Sequence, residues 1–153
     1  MMKEKESLIE WNPLSQAIYD RFMHPMFLVN IEFNGELILT VGPEENRYQF
    51  SYNRTDNYFY PVRVYRSLLE HIRDDIEELI QQKVENAKDQ SLPLSNYNPT
   101  FYKVENSSFL KWYTTIDDSI PDMELAKLEH HLYICEDYFI DVIAVVQPNI
   151  IKL

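Results

Sequence analysis

A chain of 153 residues, 45% hydrophobic and 14% aromatic, has apolar material for one core and too much of it for a disordered polymer. Its formal net charge of −11 argues against nucleic acid or an anionic membrane as direct partner, since both select clustered Lys and Arg. Its two glycines, Gly35 and Gly42, cannot build a Walker loop or a dinucleotide fingerprint, where several glycines let backbone N–H groups reach phosphate.

Along the chain, residues 1–11 are charged and expected to fray. Asn12-Pro13 opens a short helix that His24-Pro25 closes. Residues 26–33 read as a strand, Asn34-Gly35 as a hairpin turn, and residues 36–41 as the return strand. After a turn at 42–46, Tyr48, Phe50 and Tyr52 alternate along a third strand, which completes an antiparallel meander. Residues 58–64 could add a fourth strand, at an edge because of Pro61.

From Tyr65, apolar residues recur at helical spacing through Leu68, Leu69, Ile72, Ile76, Leu79, Ile80, Val84 and Ala87, predicting one long helix over about 65–88. Arg66 with Glu70 and Arg73 with Glu77 would pair on its wet side. Residues 89–99 read as a loop, 100–104 as a short strand, and Asn106-Ser107-Ser108 as the cap of a second short helix. Asp117 to Glu124 is an acidic connector broken by Pro121. Two strands, 130–135 and 138–146, close the chain across a turn at Glu136-Asp137, and Pro148 ends the ladder. Because residues 142–146 are apolar on both faces, their strand should be central and covered on both sides. The expectation is a single α+β domain over 1–153: one antiparallel sheet of about five to seven strands, the long helix and two short helices.

The chemistry-bearing residues are sparse. His130 and His131 are strand neighbours on opposite faces, so they cannot readily grip one metal ion, and they are expected as half-exposed strand histidines. His24 and His71 lie on other elements. The one cysteine, Cys135, allows no internal disulfide and should be a small core residue. No catalytic residue, cofactor or metal is assigned. A small hydrolase remains as an alternative, if a pocket holds two or more of Glu129, His130, His131 and Asp141 with convergent polar groups. A housekeeping dimer through an exposed strand edge is another, so the chain is expected as a monomer or homodimer. No signal-like apolar run follows Met1, and the longest apolar stretch, Tyr138 to Val146, is too short for a bilayer; the expected address is cytoplasmic.

Charge is the clearest functional signal. From Asp117 to Asp141 there are eight acidic side chains and one basic, a net of −7 within the total of −11. Exposed aromatics among carboxylates would suit capture of a basic protein partner. The expected contact set is Trp112, Tyr113, Asp117, Asp118, Asp122, Glu124, Glu136, Asp137 and Tyr138, gathered at one end of the domain.

Within residues 105–148, Ser108-Phe109-Leu110-Lys111-Trp112-Tyr113, an acidic spacer, His131-Leu132-Tyr133-Ile134, Asp137 and Ile140-Asp141-Val142-Ile143-Ala144 precede Pro148. This ending resembles that of small immunity-type proteins encoded beside bacterial polymorphic toxins. The resemblance implies a cytoplasmic, non-catalytic protein that binds and blocks a cognate toxin, often a basic nuclease.

Overall fold

A computed structural model describes residues 5–11, 26–43, 45, 47–89 and 100–153. The expected helix at 12–24 and the loop at 90–99 lie outside these residues.

The order of elements is β1 (Ser7–Glu10), β2 (Phe27–Phe33), β3 (Leu37–Gly42), β4 (Tyr48–Tyr52), β5 (Val62–Leu69), α1 (Asp74–Asp89), β6 (Phe101–Glu105), α2 (Ser108–Ile116), α3 (Asp122–Leu125), β7 (Glu129–Ile134), β8 (Tyr138–Ala144) and β9 (Asn149–Lys152). The strands form two antiparallel sheets, one ordered β1-β6-β7-β8-β5 and the other β2-β3-β4-β9. The α+β class and the meander are as the sequence predicts. Gly35 supplies the turn between β2 and β3 with φ +97°, and the Arg54 guanidinium donates to Asn34 O across it.

Alternation explains the layers. Leu37, Leu39, Val41, Tyr48, Phe50 and Tyr52 present the buried face of the smaller sheet. They pack with Phe101, Tyr133, Cys135, Ile140, Val142 and Ala144 from one face of the larger sheet. The other face of the larger sheet carries Leu132, Ile134 and Phe139 against Ile76 and Ile80 of α1. Beside them, Ile143 and Val145 meet Phe109 and Tyr113 of α2. β8 is thus apolar on both sides because it is the middle layer of three.

Four expectations need correction. There are two sheets, not one, because a central sheet apolar on both faces needs a layer on each, and the helices cover only one. The helix does not begin at Tyr65: residues through Leu69 pair with β8, with Arg66 opposite Asp141 and Leu69 opposite Tyr138. A 3-10 turn at Glu70–Ile72 follows, and α1 begins only at Asp74. Seven ladder pairs outweigh a helical propensity worth a few tenths of a kcal/mol per residue. Residues 7–10 do not fray, since Ser7 to Glu10 pair with Glu105 to Tyr102. Pro148 interrupts pairing without ending it, for β9 resumes along β4. β5 does sit at a sheet edge, directly after Pro61.

Candidate functional site

The turn into α2 sets the site. Asn106 takes φ 53°, a left-handed conformation that asparagine tolerates, and turns the chain out of β6. Ser107 then caps α2, its Oγ accepting from Leu110 N at 3.0 Å. Glu6, just ahead of β1, accepts from Ser108 N and Ser108 Oγ at 3.2 and 2.6 Å. With the start so fixed, Phe109 and Tyr113 point inward, while Trp112 and Ile116, also four apart, point outward at 50% and 62% exposure.

Tyr113, expected in the contact set, is therefore core. Its hydroxyl donates to Asp117 Oδ2 at 2.5 Å, and burial first, then Asp117, pushes that hydroxyl up to about 12. Asp117 also accepts from the backbone and hydroxyl of Ser119. Hydrogen bonds from Tyr113 and Ser119 hold the Asp117 carboxyl below its ordinary value. Glu124 is half-buried in an ion pair with Arg63, and Lys127 donates to the Tyr58 hydroxyl, so α3 is tied to the segment around β5. Asp118 and Asp122 are exposed, and so are Met123 (79%) and Leu125. The α2–α3 corner thus presents Trp112, Ile116, Met123 and Leu125 among carboxylates.

Glu136, Asp137 and Tyr138 do not join this corner. They occupy the β7–β8 turn, six residues along β7 from Glu129, or about 20 Å. Asp137 Oδ1 accepts from Leu28 N and Tyr138 N, which anchors the turn to β2. Tyr138 is half-buried and Glu136 exposed. The acidic window is therefore split between two ends of the sheet, with its last member inside.

That member, Asp141, is fully buried on the helix side. It receives Arg66 Nε at 2.9 Å, Arg73 Nη1 at 2.5 Å and His130 Nε2 at 2.6 Å. His130 Nδ1 lies 2.6 Å from Ser107 Oγ. Burial alone would push the Asp141 carboxyl up, but His130 and Arg73 overcome it and hold it well below the carboxylate range. Burial likewise opposes the Arg73 charge, and Asp75 and Asp141 outweigh it. The sequence of contacts is that of a serine–histidine–aspartate triad. Yet Ser107 and His130 are 3% and 2% exposed, and the serine oxygen already serves as the helix cap. What the arrangement does is lock α2 and the start of α1 onto β7 and β8.

His131 faces the other layer, as strand alternation requires. Its Nδ1 lies 2.8 Å from the Tyr52 hydroxyl, which also bonds Tyr133, and Trp11 stacks on its ring at 4.4 Å. Burial depresses its basicity against the pull of Glu129. Glu129 pairs with Lys103 at 2.8 Å. The His131 ring, and with it Lys103, brings the Glu129 carboxyl down to about 2. Both strand histidines are thus buried, not half-exposed. Among the described residues no group of His, Cys, Asp and Glu could hold a metal ion. Cys135 is buried, as expected of a core thiol.

Beside α2 runs a groove of about 670 Å³, lined by Glu6, Val64, Tyr65, Arg66, Asp75, Ser108, Phe109 and Trp112. Its wall is a stack: the Arg66 guanidinium lies 4.1 Å from the Phe109 ring centroid, and Phe109 is parallel to Trp112 within 6° at 5.7 Å. Trp112 belongs to both the groove and the corner.

No family model, curated protein or solved structure matches the chain. Sequence reasoning named Trp112 and the acids around it, but missed Ile116, Met123, Leu125 and Glu6. The first three carried a usable signal, since Ile116 falls four residues after Trp112 and the other two flank Glu124. Glu6 carried none, because only the pairing of β1 with β6 brings it to α2. No helix among the described residues is long and apolar enough to cross a membrane.

Proposed function

We propose that the protein acts by binding, and that its α2–α3 corner captures and blocks a basic protein partner. The observation that carries this is the concentration of Trp112, Ile116, Met123 and Leu125, all exposed, within fourteen residues that also expose Asp118 and Asp122. Exposed apolar groups singly are ordinary, but a cluster with a tryptophan and a methionine inside a charged rim has the make-up of an interface centre. The formal charge of −11 supports a cationic counterpart, whose encounter it would steer and accelerate. Arg63–Glu124 and Lys127–Tyr58 hold the corner in place beforehand, which lowers the ordering cost of association. The resemblance of residues 105–148 to immunity-type proteins supports a toxin as that partner and a bacterial cytoplasm as its setting.

The test is retention of a partner from the native cell by the wild-type chain and by an Asp118→Lys, Asp122→Lys double variant. A basic protein should be held at low salt, released as salt rises, and lost by the variant. Retention indifferent to both salt and charge reversal would refute the placement. A hydrolase is a second reading, drawing on the Ser107–His130–Asp141 contacts. It requires that a fluorophosphonate label Ser107, whereas a hydroxyl this buried should stay unlabelled.

A further inference from the structure

We infer that the groove beside α2 receives the guanidinium of an arginine side chain projected by the basic partner. This deepens the binding reading above and rests on it. The Arg66–Phe109–Trp112 stack begins with a cationic plane, continues with two aromatic planes and ends on Trp112, which remains 50% exposed. A second guanidinium laid on the indole would close the free end of the stack as Arg66 closes the other, since tryptophan is the best aromatic acceptor of a cation. Two carboxylates line the same groove. Asp75 keeps 59% of its side chain exposed while paired with Arg73, and among the described residues Glu6 accepts from Ser108. A carboxylate has about four acceptor positions, so both retain capacity for a fork of N–H donors.

Arg66 does not reverse this polarity. Its Nε is bound to Asp141 and its face is covered by Phe109, so its charge is compensated where it stands. Among the charged side chains that line the groove, Glu6 and Asp75 outnumber Arg66, and the chain as a whole is anionic. An anionic ligand would have to displace this balance. The volume, about 670 Å³, falls in the range that encloses a small organic group. Because Trp112 also belongs to the α2–α3 corner, a partner seated on the corner could reach the groove with one long side chain.

The experiment is titration of the full chain with N-acetyl-arginine amide, following the Trp112 indole N–H by NMR, with N-acetyl-lysine amide and phenylacetate as comparisons. Saturable binding with a Kd on the order of millimolar is expected for the arginine probe, weaker for lysine, and none for phenylacetate. Trp112→Ala, read by calorimetry because it lacks the reporting indole, and Glu6→Gln, read by NMR, should each weaken the arginine probe several-fold, the latter while keeping an acceptor for Ser108. Ile116→Ser, at the corner and outside the groove, should leave the probe untouched while weakening retention of the partner. No saturable response to the arginine probe, or a preference for phenylacetate, overturns the inference even if the partner is still retained. Partner retention unchanged by Ile116→Ser, with probe binding intact, would instead count against the corner alone.

Discussion

His130 and His131 are adjacent in the chain and buried to the same degree, yet the two faces of β7 bury them by different means. On the helix side, His130 is one member of a charged cluster in which Asp141 faces Arg66 and Arg73. On the sheet side, His131 sits among Tyr52, Tyr133 and Trp11, where burial keeps it neutral. The first solution places full charges in the interior and depends on every partner. The second uses dipoles and ring packing, and each member is worth less. Buried ionic groups are unforgiving because removal of one leaves the others uncompensated.

The largest effect should therefore come from Asp141→Ala, which takes the shared carboxylate from Arg66 and His130 and one of its two carboxylates from the buried Arg73. Urea unfolding should show a loss of about 3–5 kcal/mol, the cost of breaking a buried pair; a loss under 1 kcal/mol would dissolve the contrast. Next, Ser107→Ala removes the cap of α2 together with the partner of His130. About 1–2 kcal/mol should go, with α2 amides exchanging faster than those of β3. Tyr52→Phe on the sheet side, which removes the hydroxyl shared by His131 and Tyr133, should cost about 1 kcal/mol for each of those two hydrogen bonds.

Acid should reveal the two faces in turn. The folded His131 resists protonation, whereas in the unfolded chain it protonates near its ordinary 6.5. The unfolded state then binds more protons, so stability falls as pH drops below about 6.5. Glu129 and Asp141 have depressed folded values, so what they contribute is complete above about 4.5 and is lost as pH falls toward 2. Melting temperature against pH should thus fall in two stages, and His131→Gln should remove the upper one and shrink the Glu129 share of the lower, leaving the Asp141 share in place. The smallest effect is expected at the surface, where Asp118→Lys with Asp122→Lys should change stability by no more than about 0.5 kcal/mol while slowing association.

How much of this was legible varies with the range of the interaction. The meander, the alternation of Tyr48, Phe50 and Tyr52, the Ser107 cap and the closing hairpin all follow from neighbours in sequence. The start of α1 did not, because Tyr65, Leu68 and Leu69 suit a helix as well as a strand, and the choice was made by β8, about seventy residues away. The same distance hid the site. Arg66 and Arg73 look like solvent-facing partners of Glu70 and Glu77 until Asp141 is seen opposite Arg66. A lone aspartate inside an apolar strand was the available clue, since such a charge needs a buried cation. The second sheet was hidden for the same reason: nothing local says that β9 returns to β4.

That last pairing also bears on how the chain emerges during synthesis. β2, β3 and β4 can zip together early, but the free side of β4 finds its neighbour only when Asn149 to Lys152 arrive. At about 5–20 residues per second, nearly a hundred residues separate the two events by roughly 5–20 s. Through that interval Tyr48, Phe50 and Tyr52 lie along an open β-edge of the kind that recruits other chains. A late strand of four residues would then govern yield more than stability, and shortening the C-terminus should appear first as inclusion bodies.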